Sequence, residues 1–306
     1  MQNHINHNRV TILITGANGM LGQDLKRIFD RQDVYAFDRK ELDITVRNDV
    51  LKRVAEIHPH IIINAAGYTD VNGAESNQKI AEQVNGAAVG YLAEAAKKEN
   101  AVLVHFSTDY VFDGENAAGY REDTTELHPL NAYGASKLKG EQLLQEHTKD
   151  YYLIRTSWLF GAHGKNFVQT VLDLAYRQSR SNSADPIRVV NDQFGKPTYS
   201  WDMAKAVYFL LAEKKPFGTY HMTNEGVTSW YEFARSIFSA YHTYNPTFEL
   251  PHLVSVTTAE FPTPARRPHY SMLMNTKNIP FRHYASALED YFHFYTPPQE
   301  EKTRQK

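Results

Sequence analysis

The sequence predicts an α/β fold in which a doubly wound parallel sheet carries a smaller C-terminal lobe. Four of the five residues at 10–14 are β-branched, as in a buried parallel strand. Three glycines follow, and apolar residues at helical spacing then mark residues 21–29. Further apolar strands and helical patterns alternate after them, at 34–38, 46–57, 61–64, 74–99, 101–106, 133–147 and 152–155. This alternation predicts a parallel sheet with helices on both faces.

The composition places few other constraints on the protein. The chain has 306 residues, enough for one or two domains, with 42% hydrophobic residues and no cysteine. Its net charge of −2 gives no electrostatic reason to expect a nucleic-acid partner. The sequence contains no run of 18 apolar residues, which a membrane-spanning helix would need. The N-terminal residues lack the apolar segment of a secretory signal. We therefore predict a cytoplasmic protein with no nucleic-acid or membrane partner.

Gly16, Gly19 and Gly22 join the first predicted strand to the first predicted helix. In a dinucleotide-binding turn, the first glycine permits the tight bend, the second lets the backbone approach a pyrophosphate, and the third lets helix and strand pack closely. The N-terminus of the helix then offers free N–H groups to the anion. The pattern predicts a Rossmann-like NAD(P) site, against the alternative of a glycine-rich turn with no ligand.

The second predicted strand ends in an acidic residue, Asp38, which lies 22 residues after Gly16. An acid at about this distance hydrogen-bonds the adenosine ribose in such sites. Arg39 follows directly and would suit a 2′-phosphate instead, so the sequence leaves both NADH and NADPH open. Asp43 and Ile44, in the next loop, are candidates for the adenine pocket.

Small or hydroxyl-bearing residues end the next two strands. Asn64, Ala65 and Ala66 follow the strand at 61–64 and leave room for a ligand at its carboxyl end. Ser107 and Thr108 end the strand at 101–106, where chemistry usually takes place in this architecture. One of these two hydroxyls is expected to hydrogen-bond a substrate carbonyl oxygen as charge builds on it.

Tyr133 and Lys137 give the strongest chemical signal in the sequence. They are four residues apart, so they share one face of the predicted helix. A neighbouring ammonium favours phenolate, and we expect Lys137 to lower the pKa of Tyr133 towards neutrality. Tyr133 would then act as a general acid–base, and Lys137 would also hold the nicotinamide ribose. The pair is common on solvated helices, but here it follows a glycine turn and a Ser-Thr strand end.

The second half of the chain is expected to supply the substrate side. Trp158 follows the strand at 152–155 and would stack on a sugar or fill the core. Arg266 and Arg267 are candidates for a diphosphate, because guanidinium forks match phosphate oxygens, although an exposed basic pair is an equal alternative. The predicted organisation is a flexible leader (1–8), an NAD(P)-binding domain (9–156 and about 187–213), a substrate lobe (157–186 and about 214–295) and a disordered tail (296–306).

Several of these stretches resemble the extended short-chain dehydrogenase/reductase superfamily and, within it, the dTDP-4-dehydrorhamnose reductase family. The resemblance covers about residues 9–295. Its most specific part is Ser-Thr-Asp-Tyr-Val-Phe at 107–112, and the others lie at 15–22, 64–69, 129–134, 155–158 and 192–195. The resemblance implies NAD(P)H-dependent reduction of the C4 ketone of dTDP-4-dehydro-β-L-rhamnose to dTDP-L-rhamnose, for surface or spore polysaccharide.

The resemblance also implies roles for individual residues. The implied catalytic residues are Thr108, Tyr133 and Lys137. The implied cofactor-binding residues are Gly16, Asn18, Gly19, Met20, Leu21, Asp38, Arg39, Asp43, Ile44, Asn64, Ala65, Ala66, Tyr68, Asn85, Ser107, Tyr133 and Lys137. The implied residues for the dTDP-sugar substrate are Thr69, Val71, Thr108, Asp109, Tyr110, Trp158, Arg266 and Arg267.

Departures from the family pattern keep other functions open. Related dehydratases carry an acid where this chain has Tyr110, which favours simple ketone reduction. Asn72, Gly73 and the region of Phe281 differ from the family and put substrate choice in doubt. The alternatives are another nucleotide-sugar epimerase, dehydratase or reductase, and a non-catalytic NADP-binding regulatory subunit. Some relatives hold Mg²⁺ between subunits, but no convincing acidic set is found here, and a homodimer or a monomer is expected.

Overall fold

A computed structural model describes residues 9–181 and 185–294 of the chain. The predicted leader and tail lie outside these described residues. The strands, in chain order, are β1 (Thr11–Thr15), β2 (Asp33–Phe37), β3 (Ile61–Asn64), β4 (Val102–Thr108), β5 (Tyr151–Thr156), β6 (Leu159–Phe160), β7 (Ile187–Val190), β8 (Phe194–Gly195), β9 (Thr198–Tyr199), β10 (Gly218–His221), β11 (Thr228–Ser229) and β12 (Leu253–Val256). The helices are α1 (Met20–Ile28), α2 (Arg47–Ile57), α3 (Val71–Ser76), α4 (Gln78–Glu82), α5 (Ala88–Glu99), α6 (Ala132–His147), α7 (Phe167–Ser181), α8 (Ser200–Ala212), α9 (Trp230–Tyr244) and α10 (Tyr284–Phe294).

The predicted parallel sheet is confirmed, with six strands in the order β10-β5-β4-β3-β1-β2. Every pairing in it is parallel. Ile12, Leu13 and Ile14 of β1 are completely buried because helices cover both faces of the sheet. The strand order reverses between β1 and β3, and in open α/β sheets ligands bind outside the carboxyl ends of the strands at such a point.

Two strands lie on the other side of the expected domain boundary. Gly218–His221, which we assigned to the substrate lobe, is the edge strand of the main sheet and pairs with β5. Ile187–Val190, which we assigned to the NAD(P)-binding domain, pairs instead with Leu253–Val256 in a two-stranded sheet. Both strands are only four residues long, so their local sequence does not distinguish between the two sheets. Packing in the folded chain decides which strand each of them pairs with.

The single helix expected at 74–99 is also wrong. The chain forms α3, then α4, then one π-helical turn at Gln83–Ala87, and only then α5. Asn77 separates α3 from α4, and its side-chain amide donates to the carbonyl of Gly73 at 2.8 Å. Asn85 lies in this π turn and is buried, and π turns are frequent at functional sites.

The lobe beside the sheet has its own aromatic core, formed between α7, α9 and α10. Its largest fully buried side chains are Phe160, Phe233, Tyr241, Tyr291 and Phe292. No helix among the described residues is long and apolar enough to cross a membrane.

Candidate active site

A cleft of about 1040 Å³ opens at the carboxyl ends of the main-sheet strands. It is the place where the strand-end residues singled out in the sequence come together. The predicted residues that line it are Gly16, Gly19, Met20, Leu21, Asp38, Arg39, Asp43, Ile44, Asn64, Ala65, Ala66, Tyr68, Thr69, Val71, Ser107, Thr108, Asp109, Tyr110, Tyr133, Lys137, Trp158 and Arg267. Three of the predicted site residues, Asn18, Asn85 and Arg266, do not line it.

The glycine turn has the geometry that a bound pyrophosphate requires. Gly16 has φ +71°, and a Cβ there would lie 2.5 Å from the backbone nitrogen of Ala66. A Cβ on Gly22 would collide with the carbonyl oxygen of Gly16, so α1 and β1 approach closely only because this residue is glycine. Gly19 caps α1 without a side-chain hydrogen bond, which leaves the N–H groups of the first turn free for an anion.

Gly16→Ala is expected to lower the free energy of unfolding by roughly 2 kcal/mol or more, since the left-handed backbone alone costs an alanine roughly 1–2 kcal/mol. It is also expected to weaken NADPH binding at least tenfold, because the turn must shift away from Ala66. Urea denaturation and a cofactor titration measure the two effects.

Gly164→Ala is the matched control for Gly16→Ala. Gly164 has the same φ of +71°, but a Cβ there would meet nothing closer than Met20 at 4.0 Å. Gly164→Ala therefore places an alanine in the same left-handed conformation, but its Cβ does not collide with a neighbouring atom. Equal stability of the two variants would contradict the argument from close packing.

At the adenosine end of the cleft, the carboxylate of Asp38 is already occupied by contacts within the chain. Its Oδ2 accepts from the side-chain amide of Asn18 at 2.9 Å, and its Oδ1 accepts from the N–H groups of Lys40 and Glu41. Asn18 therefore orients Asp38, and its own contact with the cofactor stays a prediction. Arg39 is exposed and lies 3.5 Å from the carboxylate of Asp43.

Asn85 acts from beneath the cleft instead of lining it. Its Oδ1 accepts from the N–H of Tyr68 at 2.9 Å, and its Nδ2 donates to the carbonyl of Tyr68 and to the hydroxyl of Ser136, both at 3.0 Å. The buried amide thus holds the loop after β3 against α6. A direct contact between Asn85 and the cofactor, as we expected, does not fit this position, because its polar atoms are engaged with the protein.

The floor of the cleft is held by a second amide, Asn64. Its Oδ1 accepts from the hydroxyl of Thr15 at 2.7 Å and from the N–H of Ala66 at 3.2 Å, and its Nδ2 pairs with Nδ1 of His105 at 3.1 Å. His105 is fully buried, and burial holds its pKa well below the usual range. A neutral hydrogen-bonded network therefore joins the ends of β1, β3 and β4 under the cleft.

Thr108, Tyr133 and Lys137 lie together in the cleft, as the sequence predicted, but with different electrostatics. Burial and, to a smaller extent, the nearby carboxyl of Asp109 raise the pKa of Tyr133 to about 12, against the lowering effect of the Thr108 hydroxyl. Burial lowers the pKa of Lys137 to about 8, against the opposing effect of Glu141. The expectation that Lys137 lowers the pKa of Tyr133 is therefore wrong for the protein alone. The ammonium group donates to the carbonyl of Phe106 at 3.1 Å.

Polar atoms without partners mark where a ligand fits between these residues. The hydroxyl of Ser107 is buried and has no hydrogen-bond partner in the described part of the chain. A Cβ on Gly67 would lie 3.1 Å from Nζ of Lys137, so glycine keeps open the approach to that ammonium. A donor hydroxyl and an ammonium beside the glycine turn fit the ribose and phosphates of a dinucleotide.

Trp158 lines the cleft, but its ring faces are largely covered by the protein. It stacks on Trp230 with ring centroids 3.6 Å apart, and a Cβ on Gly195 would lie 2.6 Å from the indole. Face-to-face stacking of Trp158 on a sugar, as the sequence suggested, is therefore corrected to contact through its exposed edge. Its backbone is left-handed, with φ +48°, a strained conformation that tends to occur at functional sites.

Only one of the two candidate arginines reaches the cleft. Arg267 lines it, donates to Oδ1 of Asn72 at 3.2 Å, and leaves its buried Nη1 without a hydrogen-bond partner in the described residues. Arg266 is exposed outside the cleft, where its carbonyl accepts from the side chain of Asn131 at 2.8 Å. The diphosphate role expected for Arg266 is thus corrected in favour of Arg267, the guanidinium that faces the ligand space.

The structure adds cleft residues that the sequence analysis missed. Thr156 ends β5, Ser157 follows it, and Lys165 lies in the loop before α7. Trp230 begins α9 and is far from Trp158 in the sequence. Thr156 and Ser157 could have been predicted from the sequence, because they lie at the carboxyl end of a main-sheet strand. No local sequence pattern identifies Lys165 or Trp230 as cleft residues.

No group of three or more His, Cys, Asp or Glu side chains in residues 9–181 and 185–294 is placed to hold a metal ion.

This fold and cleft define an NAD(P)-dependent oxidoreductase of the extended short-chain dehydrogenase/reductase class. A family model described as the RmlD substrate binding domain matches residues 10–296, and the chain belongs to that family. The resemblance found in the sequence is thereby confirmed.

Individual relatives match over nearly the whole chain. A dTDP-4-dehydrorhamnose reductase of Aggregatibacter actinomycetemcomitans is 42% identical over 274 residues, which are 87% of this chain and 91% of the relative. The spore coat polysaccharide biosynthesis protein SpsK of Bacillus subtilis is 38% identical over 286 residues, covering 92% and 96%. The crystal structure of a dTDP-4-dehydrorhamnose reductase from Bacillus anthracis in complex with NADP has a TM-score of 0.86 and 38% identity, covering 93% and 99%.

Proposed function

We propose that this protein reduces the C4 ketone of dTDP-4-dehydro-β-L-rhamnose to dTDP-L-rhamnose with NADPH, for a surface or spore polysaccharide. The observation that carries the proposal is the convergence of Thr108, Tyr133 and Lys137 beside the glycine turn in one cleft. Relatives with names for this reaction match nearly the full chain, which supports the choice of substrate.

Each of the three residues has a distinct task in this reaction. NADPH, when bound, supplies the hydride that the ketone carbon receives. Thr108 orients the carbonyl oxygen by hydrogen bonding, and Tyr133, a neutral phenol at physiological pH because of its raised pKa, donates the proton to that oxygen. Lys137 holds the nicotinamide ribose and lends positive charge to the site as negative charge develops.

Tyr110 favours reduction over elimination of water. It is buried against Tyr133, with the two rings edge to face at 5.9 Å, and burial raises its pKa well above the ordinary value. Tyr110 therefore stays a neutral phenol and offers no carboxylate at this position. We propose that Arg267 binds the diphosphate of the nucleotide sugar from the same side, through its unpartnered Nη1.

The decisive experiment follows loss of NADPH absorbance when dTDP-4-dehydrorhamnose, generated from dTDP-glucose in a coupled assay, is added. Stoichiometric oxidation with formation of dTDP-rhamnose is expected. Conversion of a nucleotide sugar without consumption of NADPH would indicate an epimerase or a dehydratase. Tight NADPH binding with no turnover of any nucleotide sugar would instead favour a regulatory subunit.

We further propose that NADPH is preferred over NADH, through Arg39. Its guanidinium is exposed at the rim of the cleft, whereas the carboxylate of Asp38 is engaged by Asn18 and by backbone N–H groups. Arg39→Ala is expected to lower kcat/KM for NADPH roughly tenfold, the effect of an exposed charge pair with the 2′-phosphate. NADH kinetics should change little.

Arg31→Ala is the control for Arg39→Ala, because Arg31 is exposed and lies outside the cleft. Arg31→Ala should leave kcat/KM unchanged with both NADPH and NADH. An equal loss with NADH and NADPH in Arg39→Ala would contradict recognition of the 2′-phosphate.

A further inference from the structure

Reduction of a ketone by NADPH consumes one proton in each turnover, and this inference rests on the proposed reductase function. Tyr133 gives that proton to the substrate and is left as a phenolate. Because the pKa of Tyr133 is raised to about 12, the buried phenolate is a strong base that must regain a proton before the next turnover. A proton source next to Tyr133 would remove the need for water to enter the closed cleft.

Asp109 occupies such a position. It directly follows Thr108 at the end of β4 and is only 3% exposed. Its Oδ1 accepts from the Thr108 hydroxyl at 2.9 Å. Its Oδ2 is buried and has no hydrogen-bond partner among the described residues, although the hydroxyl of Ser271 lies near enough to lower the pKa of Asp109. The carboxyl also lines the cleft.

No cation among the described residues compensates the burial of Asp109, although the hydroxyls of Thr108 and Ser271 favour its charged form. Tyr110 on the same turn and Tyr133 on α6 are phenols with raised pKa values. Lys137 donates to the carbonyl of Phe106, and the buried His105 in β4 is neutral. Arg267 lies beside Tyr110, and no salt bridge joins Asp109 to any cation in the described residues. Burial consequently raises the pKa of Asp109 to about 7.

We propose that Asp109 is the proton reservoir of Tyr133, connected to it through the hydroxyl of Thr108. The Tyr133 O–H bond breaks as the product hydroxyl forms. The Thr108 hydroxyl, turned towards the phenolate, then gives its proton to Tyr133 and takes one from the Asp109 carboxyl. No electrons are exchanged in the relay. Asp109 ends as a carboxylate and regains its proton from solvent when the product leaves.

The relay predicts a particular pH dependence. Asp109 holds its proton below about pH 7 and has lost it above, so steady-state kcat falls as the pH rises through about 7. The first turnover needs only the proton already on Tyr133, which stays bound to far higher pH. Steady-state turnover and the first turnover should therefore differ in their pH profiles.

Asp109→Asn tests the reservoir, since the amide has nearly the same shape and cannot give up a proton. Stopped-flow absorbance should show a first turnover within about threefold of wild type, and steady-state kcat should fall roughly tenfold or more. The decline of kcat near pH 7 should disappear in the variant. Asp30→Asn, at an exposed site outside the cleft, makes the same substitution and should leave both quantities unaltered.

The outcomes separate this inference from the proposed function. Absence of turnover in the wild type would contradict the reductase function itself. A wild type that turns over, with an Asp109→Asn variant of unchanged kcat and pH profile, would overturn the reservoir. If Asp109→Asn lowers the rates of the first and of later turnovers equally, the reservoir is also overturned, and Asp109 instead positions the substrate. If the variant does not fold, the wild-type profiles still decide, because coincident profiles for first and later turnovers contradict the relay.

Discussion

Tyr133→Phe is expected to bind NADPH as the wild type does and to lose nearly all turnover. The substitution removes only the hydroxyl that we propose as the proton donor, and the remaining ring keeps its edge-to-face contact with Tyr110. General acid catalysis of this kind contributes roughly 10²- to 10⁴-fold to the rate, so kcat should fall by about that factor. Cofactor fluorescence gives the affinity for NADPH, and absorbance gives kcat.

Tyr208→Phe provides the comparison for this variant. Tyr208 is 46% exposed on α8, outside the cleft, and its contact with Phe29 involves the ring, which phenylalanine retains. It should turn over like the wild type. A Tyr133→Phe variant with kcat near that of Tyr208→Phe would remove Tyr133 from the mechanism.

Arg155→Met is expected to lower the free energy of unfolding by roughly 3–5 kcal/mol, because it leaves a buried carboxylate without its partner. Arg155 in β5 and Glu141 in α6 form a two-pronged ion pair at 3.0 and 2.7 Å, with side chains only 4% and 2% exposed. The guanidinium also lies 5.1 Å from the ring centre of Phe112. This pair fastens the helix of Tyr133 and Lys137 to the sheet.

Urea denaturation at neutral pH measures the effect, and two further variants define its origin. Replacing both partners, with Glu141→Leu and Arg155→Met together, should recover much of the loss, since no buried charge then remains. Arg235→Met breaks the exposed pair with Glu232 and should cost less than about 1 kcal/mol. Arg155→Met with the stability of Arg235→Met would show that the buried pair contributes little.

The features of the site that are formed by residues close together in the sequence could be predicted from the sequence. Gly16, Gly19 and Gly22 fix a turn through their own backbone requirements. Tyr133 and Lys137 share a face because they are one helical turn apart. The central strands were evident as well, since a strand buried on both faces must be apolar along its length.

Other features depend on residues that are distant in the sequence. The edge strand β10 joins the sheet beside β5, and Trp230 covers a face of Trp158. Arg155 and Glu141 neutralise each other only because β5 packs under α6. Periodicity and spacing do not report such pairings, because they describe which side of an element is buried and not what covers it.

The sequence by itself determined the fold class, the glycine turn and the shared helix face of Tyr133 and Lys137, since each follows from local backbone geometry or helical spacing. Only the tertiary structure decided the protonation of the site. The pKa of Tyr133 rises to about 12, that of Lys137 falls to about 8, and that of Asp109 rises to about 7. The physical reason is desolvation, which depends on how completely the assembled chain removes water from each group.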